Sequence, residues 1–264
     1  MKKTLSILLA LLLTGMLAAC GNDITNDSVL ETAPPESQME ETTTSEAEPP
    51  TAELLSTEPE FDLDAGTVTL NNGVSMPILG IGTFALSDSE AEESVYWALQ
   101  DGYRLIDTAR IYGDEAGVGR AIRRAIDEGL VTREEIFVTT KMWTSDYDNG
   151  EAAINASLER LGLDYIDLMI LHHSQPENDV AAYKAMEQAV ADGRLKAIGL
   201  SNYYDPDDFD RMVNATSILP AVLQNETHPY HQSTDMKEHI AQYGTVLESW
   251  FPLGGRGNTQ TLFN

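Results

Sequence analysis

The stretch IFVTTKMWTSDYDNGEAAINASLERLGLDYIDLMILHH, residues 136–173, decides the fold. It opens on an apolar, β-branched run at 136–140 and closes on a second apolar run at 166–171. Both read as short strands buried on both faces. Between them, residues 152–161 read as a helix. A strand, a helix and a strand in this order imply parallel pairing with a helix covering the sheet.

The same alternation continues outward in both directions. Further strands are predicted at 78–82, 104–108, 196–201, 221–225 and 246–250. Helices are predicted at 91–99, 118–126, 180–190, 207–213 and 236–243. Ser87 with Glu90 forms a capping box ahead of the first of these helices. Val118, Ile122 and Ile126 fall at helical spacing in the second. Seven buried strands alternating with helices fit either a doubly wound sheet or a TIM barrel. Upstream, Val68-Thr69-Leu70, Asn71-Asn72-Gly73 and Val74-Ser75-Met76 read as a β-hairpin, because Asn-Gly permits the positive φ of a tight turn.

The first 65 residues have a different character. Lys2 and Lys3 precede an apolar run from Leu5 to Leu13, which is too short to span a bilayer as a mature helix. Leu17-Ala18-Ala19-Cys20 follows, with small residues where a signal peptide is cut. Cys20 is the only cysteine among 264 residues. The expectation is a lipoprotein signal peptide at 1–19, lipidation of Cys20 and an extracytoplasmic, membrane-anchored protein. Residues 20–65 read as an acidic, disordered tether, with Pro34-Pro35, Pro49-Pro50 and Pro59 and few apolar residues. Residues 21–65 hold 13 acidic residues and no Lys or Arg. The folded region, 66–264, carries 30 acidic against 14 basic residues, and the whole chain has a formal charge of −27. Such a surface repels phosphate backbones, so no nucleic-acid partner is expected.

Four polar residues sit at or just beyond successive strand ends. They are Asp107, Tyr112 in the loop that follows it, Lys141 and His172. In parallel α/β folds that face binds ligands. An ammonium beside a tyrosine favours its phenolate and lowers its pKa, and a carboxylate keeps the ammonium charged. The tyrosine can then protonate a forming alkoxide. A neutral histidine can donate a hydrogen bond to a carbonyl. None of these groups supplies a hydride, so the chemistry calls for a cofactor. Gly80-Ile81-Gly82-Thr83 lacks the third glycine and the immediate helix of a Rossmann site.

Asp107-Thr108-Ala109-x-x-Tyr112-Gly113-x-Glu115, with Gly119 beyond, resembles the first signature of the aldo-keto reductase family. Asp167-Leu168-x-x-x-His172 and Ile198-Gly199-Leu200-Ser201-Asn202 resemble later ones, as do Gln224-Asn225-Glu226-x-His228-Pro229 and Trp250-Phe251-Pro252-Leu253-Gly254. The resemblance implies a (β/α)8 TIM barrel that reduces aldehydes or ketones to alcohols with NADPH, as a monomer. Asp107, Tyr112, Lys141 and His172 would be the catalytic tetrad. Ser201, Asn202 and Gln224 would bond the nicotinamide carboxamide, Trp250 would stack on its ring, and Thr83, Asp107 and Leu253 would complete the cofactor cleft. Phe84, Trp143 and His173 match substrate-pocket positions, His173 standing where many members have Trp. Asp114 replaces a common Asn. The family's eighth strand, closing helices and 2′-phosphate-binding segment have no counterpart up to Asn264, so an incomplete barrel is expected. The rival readings are a non-catalytic, cofactor-binding surface lipoprotein and an inactive truncated reductase.

Overall fold

The structure, a computed structural model, describes residues 58–255. The expected signal peptide, Cys20 and the tether up to residue 57 lie outside the described residues. The remainder of the tether is not irregular. Glu60–Asp62 forms strand β1, antiparallel to β2 (Thr67–Thr69), which pairs with β3 (Ser75–Pro77). The predicted hairpin is therefore the inner part of a three-stranded sheet. Its turn closes on Gly73 at φ 83°, whose N–H donates to Leu70 O at 2.8 Å.

Seven parallel strands follow, β4 (Gly80–Gly82), β5 (Leu105–Asp107), β6 (Phe137–Met142), β7 (Ile166–Leu171), β8 (Leu195–Ser201), β9 (Val222–Glu226) and β10 (Val246–Trp250). They lie side by side in chain order from β4 to β10. A doubly wound sheet reverses its strand order at a switch point. No reversal occurs here, so of the two architectures open from the sequence the barrel type holds. Among the described residues the parallel sheet has seven strands. Helices α1 (Asp88–Gln100), α2 (Glu115–Asp127), α3 (Gly150–Leu161), α4 (Asp179–Ala191), α5 (Pro206–Ala215) and α6 (Thr234–Ala241) connect the strands. The capping box at Ser87 and Glu90 is present as predicted.

Alternation along the strands sorts the core into two parts. Ile106, Val138, Met169, Leu171, Ile198, Leu200 and Leu223 pack outward under the helices. Leu105, Phe137, Leu168, Ile170, Ala197, Val222 and Val246 point inward, where Val68, Leu70 and Met76 of the N-terminal sheet cover them. Asn71 Nδ2 donates to Pro220 O and Tyr243 O at 3.1 and 3.3 Å, and Asn72 Nδ2 donates to Lys196 O at 3.1 Å. All three acceptors lie at strand starts, so the hairpin seals the N-terminal end and leaves the C-terminal end for chemistry.

Two glycines permit the close packing. A Cβ on Gly119 would stand 2.0 Å from Leu161 O, and one on Gly199 would stand 2.3 Å from Val222 O. The first lets α2 lie on the end of α3. The second lets β8 and β9 turn their inward faces together. Glu115, buried at the start of α2, accepts from Thr140 Oγ1 at 2.7 Å and from Arg160 Nε at 2.6 Å, which ties β6 and α3 to the same helix.

Candidate active site

The inward line of each strand changes from apolar to polar as it approaches the C-terminal end. Leu105 gives way to Asp107, and Phe137 to Thr139 and Lys141. Leu168 and Ile170 give way to His172, Ala197 and Gly199 to Ser201. Val222 is followed by Gln224, and Val246 by Glu248 and Trp250. The period of two places these polar groups on one face without any further device. A cavity of about 1000 Å³ runs along β4 and β10 from the N-terminal sheet up to these groups, lined at its upper end by Phe84, Asp107, Tyr112, Trp143, His172, His173, Ser201, Asn202, Gln224, Trp250 and Leu253.

The four predicted catalytic residues are brought together. Lys141, fully buried, donates to Asp107 Oδ1 at 2.5 Å, to Thr108 O at 3.0 Å and to the Tyr112 hydroxyl at 3.4 Å. Burial alone would push the lysine down, but the negative charge of Asp107 and its hydrogen bond offset this and hold the ammonium above the ordinary range. Tyr112 reaches the site from the short helical turn Arg110–Tyr112, which ends on Gly113 in the left-handed region at φ 77°. The His172 ring lies edge-on to Tyr112 at 5.8 Å and stacks on His173 at 5.0 Å. Burial, and then the positive charge of Lys141, push His172 down to about 3, so its imidazole is neutral at physiological pH.

Two sequence expectations change. The lysine was expected to lower the tyrosine pKa; the Tyr112 pKa is raised. Burial is the larger effect, and Lys141 offsets only part of it. Tyr112 is therefore firmly a neutral phenol, with its proton in place. Thr83 does not line the cavity. It is fully buried, its N–H donates to Asp107 O at 3.0 Å and its hydroxyl reaches the same oxygen at 3.4 Å, so it supports the strand end from beneath.

Asn202 sits at the rim with φ 59°. Its Nδ2 donates to His172 O at 2.8 Å and to Ser201 Oγ at 3.1 Å, while Oδ1 accepts from Tyr204 OH at 3.0 Å and Trp250 Nε1 at 3.1 Å. Contact between Asn202 and a ligand amide requires exchange of one of these bonds. Phe84, edge-on to Tyr112 at 5.2 Å, and Trp143, edge-on to His172 at 5.0 Å and His173 at 5.4 Å, form an aromatic wall.

Glu248 escaped the sequence reading. It lies opposite Gln224 in register and accepts from Gln224 Nε2 at 3.0 Å. Burial first, then the negative charge of Asp107, push its carboxyl up to about 7. The available signal was alternation: Glu248 is two residues before Trp250 on one strand, hence on the same face.

Asp114 is fully buried and accepts from Thr108 Oγ1 at 2.6 Å. Burial raises its pKa. The native state then binds that proton more tightly than the unfolded chain, so this group's contribution to stability falls as pH rises above the ordinary carboxylate range. Asp114→Asn is expected to gain several degrees in Tm relative to the parent between pH 4 and pH 8. Parallel Tm curves over that range would show that Asp114 carries no such penalty.

Fold and site together define a singly wound α/β barrel protein with an ionisable cluster at the C-terminal strand ends. The chain belongs to the aldo/keto reductase family, whose model matches residues 78–261. Over 197 residues it is 44% identical to morphine 6-dehydrogenase of Pseudomonas putida, covering 72% of this chain and 64% of that one. It is 42% identical to the 9,11-endoperoxide prostaglandin H2 reductase of Trypanosoma cruzi, covering 75% of this chain and 69% of that one. Among solved structures, a Bombyx mori aldo-keto reductase in complex with NADP superimposes with a TM-score of 0.67 at 36% identity, covering 73% of this chain and 69% of that one. The chain thus spans about two thirds of the length of the curated relatives it matches.

Proposed function

We propose that this protein reduces aldehydes or ketones to alcohols, using NADPH and taking the proton from Tyr112. One observation carries the reading: a buried ammonium held by Asp107 lies 3.4 Å from a phenol that lines the cavity. When bound, NADPH supplies the hydride. The residues present suit a nicotinamide amide. Gln224 and the Ser201 hydroxyl line the cavity, and the Trp250 indole offers it a flat face.

His172, neutral, donates its N–H to the substrate carbonyl oxygen and orients it. Tyr112 passes its proton to that oxygen as it becomes an alkoxide. The nearby Lys141 ammonium stabilises the phenolate left behind, and Asp107 keeps that ammonium in place. Phe84, Trp143 and His173 enclose the substrate and exclude water. Loss of nicotinamide absorbance with a generic aldehyde tests the proposal in the full-length protein. Cofactor binding without aldehyde-dependent oxidation would instead favour a binding protein.

The second part of the reading is export and lipidation at Cys20, supported by Leu17-Ala18-Ala19-Cys20 at the end of an apolar run. A lipoprotein cysteine carries more than one acyl chain, enough for stable anchoring. In cell fractionation the parent is expected with the membranes and Cys20→Ala in the soluble fraction. A parent already soluble would overturn the anchor.

A further inference from the structure

The Gln224 amide has two N–H groups, and both are engaged. One reaches Asp107 Oδ2 at 2.9 Å and the other Glu248 Oε2 at 3.0 Å. Asp107, paired with Lys141, can only accept. Glu248 keeps an accepting oxygen whether or not it is protonated. The amide nitrogen therefore faces the two carboxyl groups, and the carbonyl oxygen Oε1 is the end left for a ligand. Among the described residues nothing donates to Oε1, although Gln224 lines the cavity. The bonds run on without a break: Glu248 to Gln224, Gln224 to Asp107, Asp107 to Lys141, Lys141 to Tyr112. Four of these five residues have a role in the proposed reaction, and Glu248 is the outer anchor of the chain. Its only hydrogen bond among the described residues is the one to Gln224.

We propose that Glu248 is a positioning residue: it fixes Gln224 so that the site presents a lone amide oxygen, selecting a ligand that carries an N–H donor there, such as a carboxamide. The cofactor part of this inference rests on the function proposed above. Without Glu248 one Gln224 N–H loses its acceptor, and the side chain is held by Asp107 alone. Rotation about its last torsion then spreads Oε1 over several directions. Glu248→Gln keeps an acceptor oxygen at the same place, whereas Glu248→Leu keeps only the bulk.

Two measurements on the full-length protein test this. First, hydrogen exchange of the Gln224 side-chain NH₂, followed by NMR, is expected to be slow in the parent and in Glu248→Gln, and fast in Glu248→Leu. Second, NADPH affinity by fluorescence titration is expected to fall about tenfold in Glu248→Leu, the scale of one lost hydrogen bond, and to stay within about threefold in Glu248→Gln. In a Gln224→Ala background, Glu248→Leu should change affinity by less than about twofold, since coupled residues are not additive. Equal weakening in both backgrounds, or slow exchange retained in Glu248→Leu, would overturn the proposal. Slow exchange in the parent and fast exchange in Glu248→Leu, with no NADPH uptake by the parent, would confirm the anchor and overturn the proposed function.

Discussion

Tyr112→Phe is expected to lower turnover by at least about 100-fold, the scale of general-acid catalysis, while NADPH affinity stays near that of the parent. The phenol is the group in the cavity that combines an acidic proton with a nearby cation. Lys141 lies 3.4 Å from its oxygen, and Phe84 packs edge-on against its ring. Phenylalanine keeps that ring packing and removes only the hydroxyl, so a large loss of stability is not expected. His172, pushed down to about 3, carries one N–H and no spare acidic proton, which makes it a poor substitute. Burial raises the Tyr112 pKa, so the phenol stays protonated well above neutrality and the proton supply should not fail until strongly alkaline pH. Stopped-flow and steady-state rates of NADPH oxidation, with a parallel titration of cofactor, check both halves. A phenylalanine variant that turns over like the parent with the same pH profile would remove Tyr112 from its role.

Much of this architecture is legible in the residues. The run at Ile166–Leu171 matches its strand in extent: five of its six residues are apolar, and the polar one, Asp167, is buried against Arg133 and Lys196. The sites at Asp107, Lys141 and His172 followed from strand ends, since position along a parallel strand fixes which end of the barrel a residue reaches. What stayed hidden depended on tertiary neighbours. Glu60–Asp62 is exposed along its length and sets a single apolar residue, Phe61, between two acids, so it resembles the acidic segment before it. It is a strand because β2 offers it an edge. At the first parallel strand the error ran the other way: Ile78 and Leu79 looked like strand interior, yet they are 45% and 66% exposed and precede β4. The direction of the Tyr112 pKa is a contest between burial, which raises it, and the Lys141 charge, which lowers it, and only the fold fixes the burial. The family resemblance implies a cleft position for Thr83, but its side chain turns to the Asp107 backbone.

Lys141→Met separates the two tasks that one ammonium performs. The side chain is fully buried and donates to Asp107, to Thr108 O and to Tyr112. Methionine fills similar volume but leaves Asp107 with Gln224 Nε2 and Thr108 O with nothing from the lysine. Removing one partner of a buried ion pair costs about 3–5 kcal/mol, because the remaining charge is uncompensated. The Asp107 side chain is 18% exposed, so water relieves part of this and the lower end, about 3 kcal/mol, is expected. Turnover should fall by about 100- to 10,000-fold, since burial then acts on Tyr112 unopposed and its proton is harder to give up. The double variant Asp107→Asn/Lys141→Met tells the tasks apart. It removes the stranded charge and keeps an amide that can still bond Gln224, so most of the lost stability should return. Activity should not return, because no cation stands beside the phenolate. Denaturant unfolding and turnover, measured on the same three proteins, decide it. If activity recovers along with stability in the double variant, Lys141 serves the fold alone, and the electrostatic account of the site is wrong.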